Sequence, residues 1–383
     1  MVYVGILLLM TIGCKTDENL IQKTQPKEEF SYPELPDLDT FITEEMNNAK
    51  VPGLSACIIR NEDILWCNGY GYANIEEDRL VDSTTPFMLA SVSKTFVSAA
   101  AMILVERGQL DLDAHINSIL DFPVHHPHDN TDISTRMLLS HTAGIKDNWT
   151  VMGSVIVDGD SPIALGDFLE DYLTEQGSYY SSQNNFINEG VLQSRTYSNI
   201  GVALAAYVIE KAADIPFDSF CEDNIFEPLQ MHDTSWHLEG LDLDLVAVPY
   251  RWRMGDWRAI EHYGYPDYPD GSLRTGAEQL ARFLVMHSNG GHYRDTKIIS
   301  EDSIAELNTA HYPSLDSGQG LIWYEWTLNG QRIRGHNGGD SGVSTEIGVR
   351  EDGTGFVILM NSSGEGNILR NIEEALLNTA DQL

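Results

Sequence analysis

Ser91-Val92-Ser93-Lys94 sets a hydroxyl and an ammonium three residues apart, ahead of the apolar run Val97–Val105. A helix apolar on every side is a central one, and Arg107-Gly108 reads as its stop. A helix starting near Ser91 puts Ser91 and Lys94 on one face. A hydroxyl is a weak nucleophile and needs a proton acceptor nearby. A lysine withdrawn from water can lose its proton and serve. The helix N-terminus adds free N–H groups suited to an oxyanion. Ser-x-x-Lys is a short spacing that chance produces easily. Lysine is scarce here, however: eight in 383 residues, of which Lys94 alone has a serine three positions before it.

Two further motifs follow in order. Tyr197-Ser198-Asn199 precedes an apolar helix predicted over Ile200–Ala213, and His336-Asn337-Gly338-Gly339 ends a predicted strand. Side chains at element ends can converge on a cleft. A phenol held near an ammonium can take the proton of Ser91 and pass it to a leaving group. Asn199 is expected to hydrogen-bond Lys94 and a substrate amide. His336 is expected to donate to a substrate carboxylate or to tune Tyr197. The small residues Gly338 and Gly339 let substrate lie along the strand, and the N–H groups of Ser91 and Gly339 are the candidate oxyanion hole. Tyr72-Ala73-Asn74 repeats the Tyr-x-Asn spacing but reads as a strand edge. His125, His126, His128 and Asp129 are the only dense histidine cluster, and Pro123 and Pro127 make that stretch a loop. No Cys/His spacing suits zinc, so neither a metal nor a cofactor is expected. His141 reads as a structural residue in a capped turn under the site. Trp149, Tyr179 and Tyr180 either line the cleft or fill core.

The positioning elements follow from periodicity. Leu38–Asn48 reads as an amphipathic helix, and Leu54–Arg60 with Ile64–Tyr72 as a hairpin. From about 110 to 310 the pattern is mostly helix and loop, with an N-cap expected at Ser161-Pro162 and a capping box at Thr275 and Glu278. Strands return at Leu321–Leu328, Arg332–His336, Ser344–Arg350 and Gly355–Met360, and a last helix covers Asn367–Thr379. The simplest architecture is α+β. One antiparallel sheet is built from both chain ends and covered by the terminal helices, with a mostly helical lobe inserted and the site between lobes.

Lys+Arg is 23 against 58 Asp+Glu, a formal charge of −35. That balance argues against nucleic acid and anionic membrane surfaces as partners. Val2–Met10 is a short apolar run followed by Thr11-Ile12-Gly13-Cys14, which resembles a bacterial lipoprotein signal with lipidation at Cys14. Residues 15–37 are polar, hold Pro26, Pro33 and Pro36, and read as a tether. Residues 38–383 then form the folded domain. An exported protein carried by a lipid anchor is the expectation, with the membrane touched only through that anchor. Of Cys57, Cys67 and Cys221, the first two lie on the strands of the predicted hairpin. A two-residue loop sets them on opposite faces and a three-residue loop face to face; buried thiols are the expectation.

The ordered motifs resemble the penicillin-recognising serine hydrolases, which include class C β-lactamases, D-alanyl-D-alanine carboxypeptidases, D-aminopeptidases and bacterial esterases. The likeness runs over roughly residues 40 to 380. It rests on Phe87-Met88-Leu89-Ala90-Ser91-Val92-Ser93-Lys94-Thr95, Leu138-Leu139-Ser140-His141-Thr142-Ala143-Gly144-Ile145 and Tyr197-Ser198-Asn199-Ile200-Gly201. Tyr268-Pro269-Asp270-Gly271-Ser272-Leu273-Arg274-Thr275 and Gly335-His336-Asn337-Gly338-Gly339 add to it. The resemblance implies the β-lactamase/transpeptidase-like fold, Ser91 as the acylated nucleophile, and Lys94 with Tyr197 as the general-base pair. Asn199 becomes a substrate and lysine partner, and His336 and Gly338 the third motif. The implied substrate is a small molecule or short peptide: an ester, or a D-amino-acid-type amide. The β-lactamases of this group carry Lys-Thr-Gly where this chain has His336. A neutral histidine forfeits about 1 kcal/mol or more of attraction for the drug carboxylate, so efficient β-lactam hydrolysis is a secondary expectation. A non-catalytic sensor on the same fold is a third, disfavoured by three intact motifs.

Overall fold

The computed structural model describes residues 32–383. The expected signal over 1–14, lipidation at Cys14 and the tether through residue 31 lie outside the described residues. Helix α1 (Pro36–Ala49) opens with proline in its first turn and buries Leu38, Ile42 and Met46, one face at helical spacing.

Both ends of the chain supply strands to one seven-stranded antiparallel sheet. The N-terminal part gives β1 (Gly53–Arg60), β2 (Asp63–Asn74) and the short β3 (Arg79–Leu80). The C-terminal part gives β4 (Tyr324–Leu328), β5 (Gln331–Asp340), β6 (Val343–Arg350) and β7 (Thr354–Met360). Their order is β4-β5-β6-β7-β1-β2-β3, so β7 zips against β1 and joins the two ends. β6 and β7 are buried at every residue, and β1 at all but the last. Burial without alternation marks strands covered on both faces, even though β6 carries Ser344, Thr345, Glu346 and Arg350. α5 (Ile368–Ala380), with α1 beside it, packs on β7 and β1. α4 (Ala277–Ser288) packs on β1, β2 and β7. The expected α+β architecture is what forms.

The hairpin corrects one expectation. Its loop has two residues, Asn61 and Glu62, pairing Arg60 with Asp63, which by itself would throw the cysteines to opposite faces. A β-bulge between Ile58 and Ile59 on β1 and their partners Trp66 and Ile64 on β2 leaves Leu65 as the extra residue. The register slips by one, Cys57 lands opposite Cys67, and the two form a disulfide rather than the expected buried thiols. Cys221 is free and buried.

Between the two sets of strands lie α2 (Lys94–Glu106) and α3 (Asn199–Ala213). Every residue of α2 from Lys94 to Leu104 is buried, as its all-round apolar sequence requires. The Phe96 ring on α2 stacks on Phe283 of α4 at 3.9 Å, tying the central helix to the helix over the sheet. Two expected caps differ. Ser161 turns the chain by accepting from the Ile163 N–H, and the helix begins four residues later at Leu165. Thr275 spends its hydroxyl on Thr234, so α4 starts from Gly276 without a side-chain cap. Among the described residues no helix is long and apolar enough to cross a membrane.

Candidate active site

Ser91 sits not in α2 itself but in a 3-10 turn, Ala90–Ser93, that feeds it. Ala90 adopts φ 47°, a left-handed conformation costly for a residue with a Cβ. Strand β5 presses this turn into place. A Cβ on Gly338 would lie 2.4 Å from both Leu89 O and Thr345 Oγ1 and 3.0 Å from Ser91 N. Only glycine lets the strand approach that closely. Thr345 on β6 donates to Leu89 O at 2.6 Å, and the Leu89 N–H donates to Leu273 O at 2.8 Å. Gly338, expected to contact substrate, therefore faces the turn. Gly339 has open space where a Cβ would stand and lines the cavities beside Ser91. β4 pairs with β5 only as far as Gly335, so the β5 edge beyond it is open. That edge and the Ser91 turn frame the expected oxyanion position.

Ser91 Oγ accepts from Lys94 Nζ at 2.9 Å, and Asp270 O accepts from the same ammonium at 2.6 Å. Lys94 is fully buried. Burial pushes its basicity down, but Tyr197, Asp270 and Asp147 outweigh that and hold it above the ordinary lysine value. This acidic surround opposes burial, which alone would free a neutral amine. Its partners are Ser91 and the Asp270 carbonyl rather than the Asn199 amide.

Tyr197 stands between two cations. Lys94 Nζ lies 5.2 Å from its ring centroid and the Arg195 guanidinium 5.7 Å. Their field stabilises negative charge developing on the Ser91 and Tyr197 oxygens during proton transfer. Arg195 is held by Gln319 Oε1 at 2.6 Å and 3.1 Å. His141 packs its ring 4.5 Å from that of Tyr197, and its Nδ1 accepts from the Ser198 N–H at 3.2 Å, which is the structural support expected of it.

The start of α3 fixes Asn199. Ser198 caps the helix through Gly201 N at 2.9 Å. The Asp147 carboxylate accepts from Asn199 N at 2.9 Å and Ile200 N at 3.2 Å. A carboxylate suits a helix N-terminus. Asn199 then lines a cavity with Ser91.

His336 is 2 % exposed. Its Nδ1 lies 2.6 Å from the Asn337 carbonyl, which can only accept, so Nδ1 carries the proton. Burial, then the charges of Lys94 and Arg195, lower its pKa to about 3. The ring is neutral and Nε2 offers a lone pair that no group among the described residues satisfies. His336 is therefore left with Nε2 as an acceptor and is not the expected carboxylate donor. It packs edge-on against Tyr324 at 5.3 Å and lies 6.2 Å from the Tyr197 ring.

Two cavities meet at Ser91 and Gly339. One, of about 460 Å³, is lined by Arg195, Tyr197, Gln319, Tyr324 and His336. The other, of about 140 Å³, is lined by Trp149, Met152, Ile156, Asn199, Asp267 and Asp270. Of the aromatic candidates Trp149 reaches the cleft, whereas Tyr179 and Tyr180 pack on Phe168 and Phe186. Within the histidine cluster His126 and His128 pack edge-on at 5.8 Å, His128 Nε2 pairs with Ser182 O, and His126 packs on Phe186. No group of three metal-binding side chains converges among the described residues.

Sequence reasoning missed Asp147 and Arg195. Nothing in the spacing marks Asp147. Arg195 stands two before Tyr197 in an extended approach, and a period of two places both on one side.

Known proteins are similar to this chain in sequence and in fold. The chain is 27% identical over 336 residues to penicillin-binding protein 4* of Bacillus subtilis, covering 84% of this chain and 70% of that protein. It is 22% identical to protein flp of Staphylococcus aureus over 86% of this chain, spanning 63% of that relative's length. Among solved structures, the D-amino acid amidase of Ochrobactrum anthropi SV3 superposes with a TM-score of 0.70 at 21% identity, over 90% of this chain and 99% of the amidase. The octameric penicillin-binding protein homologue of Pyrococcus abyssi gives 0.71 at 23% identity, over 91% of this chain and 78% of that one. Residues 38–379 match the β-lactamase family model, and the chain belongs to that family.

Proposed function

We propose that this chain is a serine hydrolase working through an acyl-enzyme on Ser91, with an ester or a D-amino-acid-type amide as substrate. The observation that carries the proposal is the 2.9 Å contact between a buried ammonium and Ser91 Oγ where two cavities meet. Ser91 Oγ attacks the carbonyl carbon and gives its proton to the Lys94–Tyr197 pair, which has one open proton site shared between the amine and the phenol oxygen. The backbone N–H groups of Ser91 and Gly339 stabilise the oxyanion, each donor worth about 3 kcal/mol. Tyr197 returns the proton to the leaving oxygen or nitrogen, and the acyl–Oγ bond remains. Water then attacks, giving one proton to Tyr197, which passes it back to Ser91. Once the pair has taken that proton it carries a net positive charge, which favours the anionic stage beside it. Asn199 holds the acyl side and His336 accepts from a donor on the leaving group.

A fluorophosphonate probe checks this. The expected adduct is on Ser91, lost in Ser91→Ala. An adduct on another residue, or undiminished labelling of the variant, refutes it. β-Lactam hydrolysis is the weaker reading, because a neutral His336 supplies no charge for the drug carboxylate. Attachment through Cys14 to a bacterial membrane belongs to the same proposal, resting on the sequence of the leader.

A further inference from the structure

Residues Tyr250–Arg253 and Asp256–Ala259 form a separate two-stranded hairpin. Its base is fixed. Tyr250 is buried, its N–H donates to Asn361 O at 2.8 Å, and its hydroxyl accepts from the Ile75 N–H at 2.8 Å. Beyond the base the arginines are exposed and the tryptophans half-buried, on two distinct faces, because side chains alternate along a strand. On one face Arg251 pairs with Arg258 and Arg253 with Asp256; on the other Trp252 pairs with Trp257. The two indoles pack edge-on at 4.8 Å, and Lys50, just after α1, brings its Nζ to 5.8 Å from the Trp252 ring.

This composition does not serve the fold. Like charges set directly opposite each other destabilise a strand pair. Yet Arg251 faces Arg258, and neither Arg251 nor Arg253 has an ion-pair partner among the described residues. Met254 opens the two-residue turn at φ 54°, a left-handed conformation that glycine or asparagine adopts far more cheaply. That methionine is 96 % exposed, so the strain is not offset by burial. Cations beside tryptophans around an apolar tip match a bilayer interface, with guanidinium groups at the phosphates and indoles at headgroup level. The chain carries −35 overall, so an anionic surface repels it elsewhere and contact is confined to this hairpin.

We propose that the hairpin docks the protein on the phosphate headgroups of an anionic lipid bilayer, with Met254 entering the interface. The inference goes beyond the anchor at Cys14, and it rests on that reading for a membrane as the partner. Residues 15–35 span up to about 70 Å when extended. Helix α1, about 21 Å long, then carries the chain from Pro36 to Lys50 beside Trp252. A chain anchored at Cys14 therefore reaches the bilayer with this hairpin. The anchor sets proximity and the hairpin sets orientation.

Vesicle sedimentation of the full chain carrying Cys14→Ser, which cannot be acylated, tests this. Vesicles of phosphatidylglycerol mixed with phosphatidylcholine are compared with phosphatidylcholine alone. The expected result is binding to the anionic vesicles that weakens with salt. Each arginine near such a surface is worth about fivefold in partitioning, so Arg251→Gln combined with Arg253→Gln should lower it about 25-fold. Met254→Asn should lower it too while melting at or above the parent temperature, because asparagine suits the turn. Equal binding by all three chains, equal binding to neutral vesicles, or binding to neither overturns the docking hairpin. A dimer seen by light scattering in the parent and lost in Met254→Asn, without vesicle binding, places a second copy there and also overturns it. Absence of lipid on Cys14 in the intact mass of the wild-type chain overturns the anchor alone, since the vesicle assay does not use it.

Discussion

Replacing Gly338 by alanine tests whether strand β5 sets the nucleophile. The added Cβ would stand 2.4 Å from Leu89 O and from Thr345 Oγ1, the two atoms joined by a 2.6 Å hydrogen bond. Ordinary carbon contacts are about 3.5–4.0 Å, so strand and turn must part by roughly 1 Å. Overpacking of this kind costs about 1–3 kcal/mol, which lowers the melting temperature by several degrees in a protein this large. The displaced atoms flank Ser91 N, 3.0 Å from the new carbon. A misplacement of about 1 Å at the reacting centre costs on the order of a hundredfold in rate. The assay is the second-order rate constant for fluorophosphonate labelling of Ser91, measured alongside thermal melts. Gly339→Ala is the stability control, because nothing lies within 4 Å of its Cβ position; its melt should match wild type. If Gly338→Ala labels within about threefold of wild type, the claim that close strand approach aligns the oxyanion hole is wrong.

Two further substitutions probe other links. Asp147→Ala strips the N–H groups of Asn199 and Ile200 of their acceptor; it should cost about 2–3 kcal/mol and slow acylation as the start of α3 drifts, and unchanged melting and labelling would refute the capping role. Glu346, buried beside Glu373, has its pKa raised to about 8 against 4.5 unfolded, so its contribution is complete below pH 4.5 and lost as pH rises through 8. Glu346→Gln should remove a slope of about 1.4 kcal/mol per pH unit over that window, read from urea midpoints at pH 6 and 8.5, and parallel wild-type and variant curves would contradict it.

The motifs and the sheet were legible because each rests on local pattern. An all-apolar helix behind Ser91 has only one place to go, and β1, β6 and β7 read as strands without knowledge of their partners. The caps at Ser161 and Thr275 misread because both hydroxyls find other partners, Ile163 N and Thr234, that the spacing does not reveal. The Cys57–Cys67 bond escaped because a one-residue bulge at Leu65 changes which face each cysteine takes.

What the sequence determined by itself is the order Ser91-x-x-Lys94, Tyr197-x-Asn199, His336-x-Gly338, and the elements that end at them. What only the tertiary structure decided is the state of those groups. Lys94 holds its basicity against burial because Tyr197, Asp270 and Asp147, distant in the chain, surround it. His336 turns acceptor because burial keeps it neutral and its Nδ1–H donates to the Asn337 carbonyl, leaving Nε2 without a proton. Gly338 serves the fold and Gly339 the cleft because one faces the Ser91 turn and the other open space. Charge and hydrogen-bond direction depend on desolvation and on neighbours brought in from elsewhere in the chain, and motif spacing carries neither.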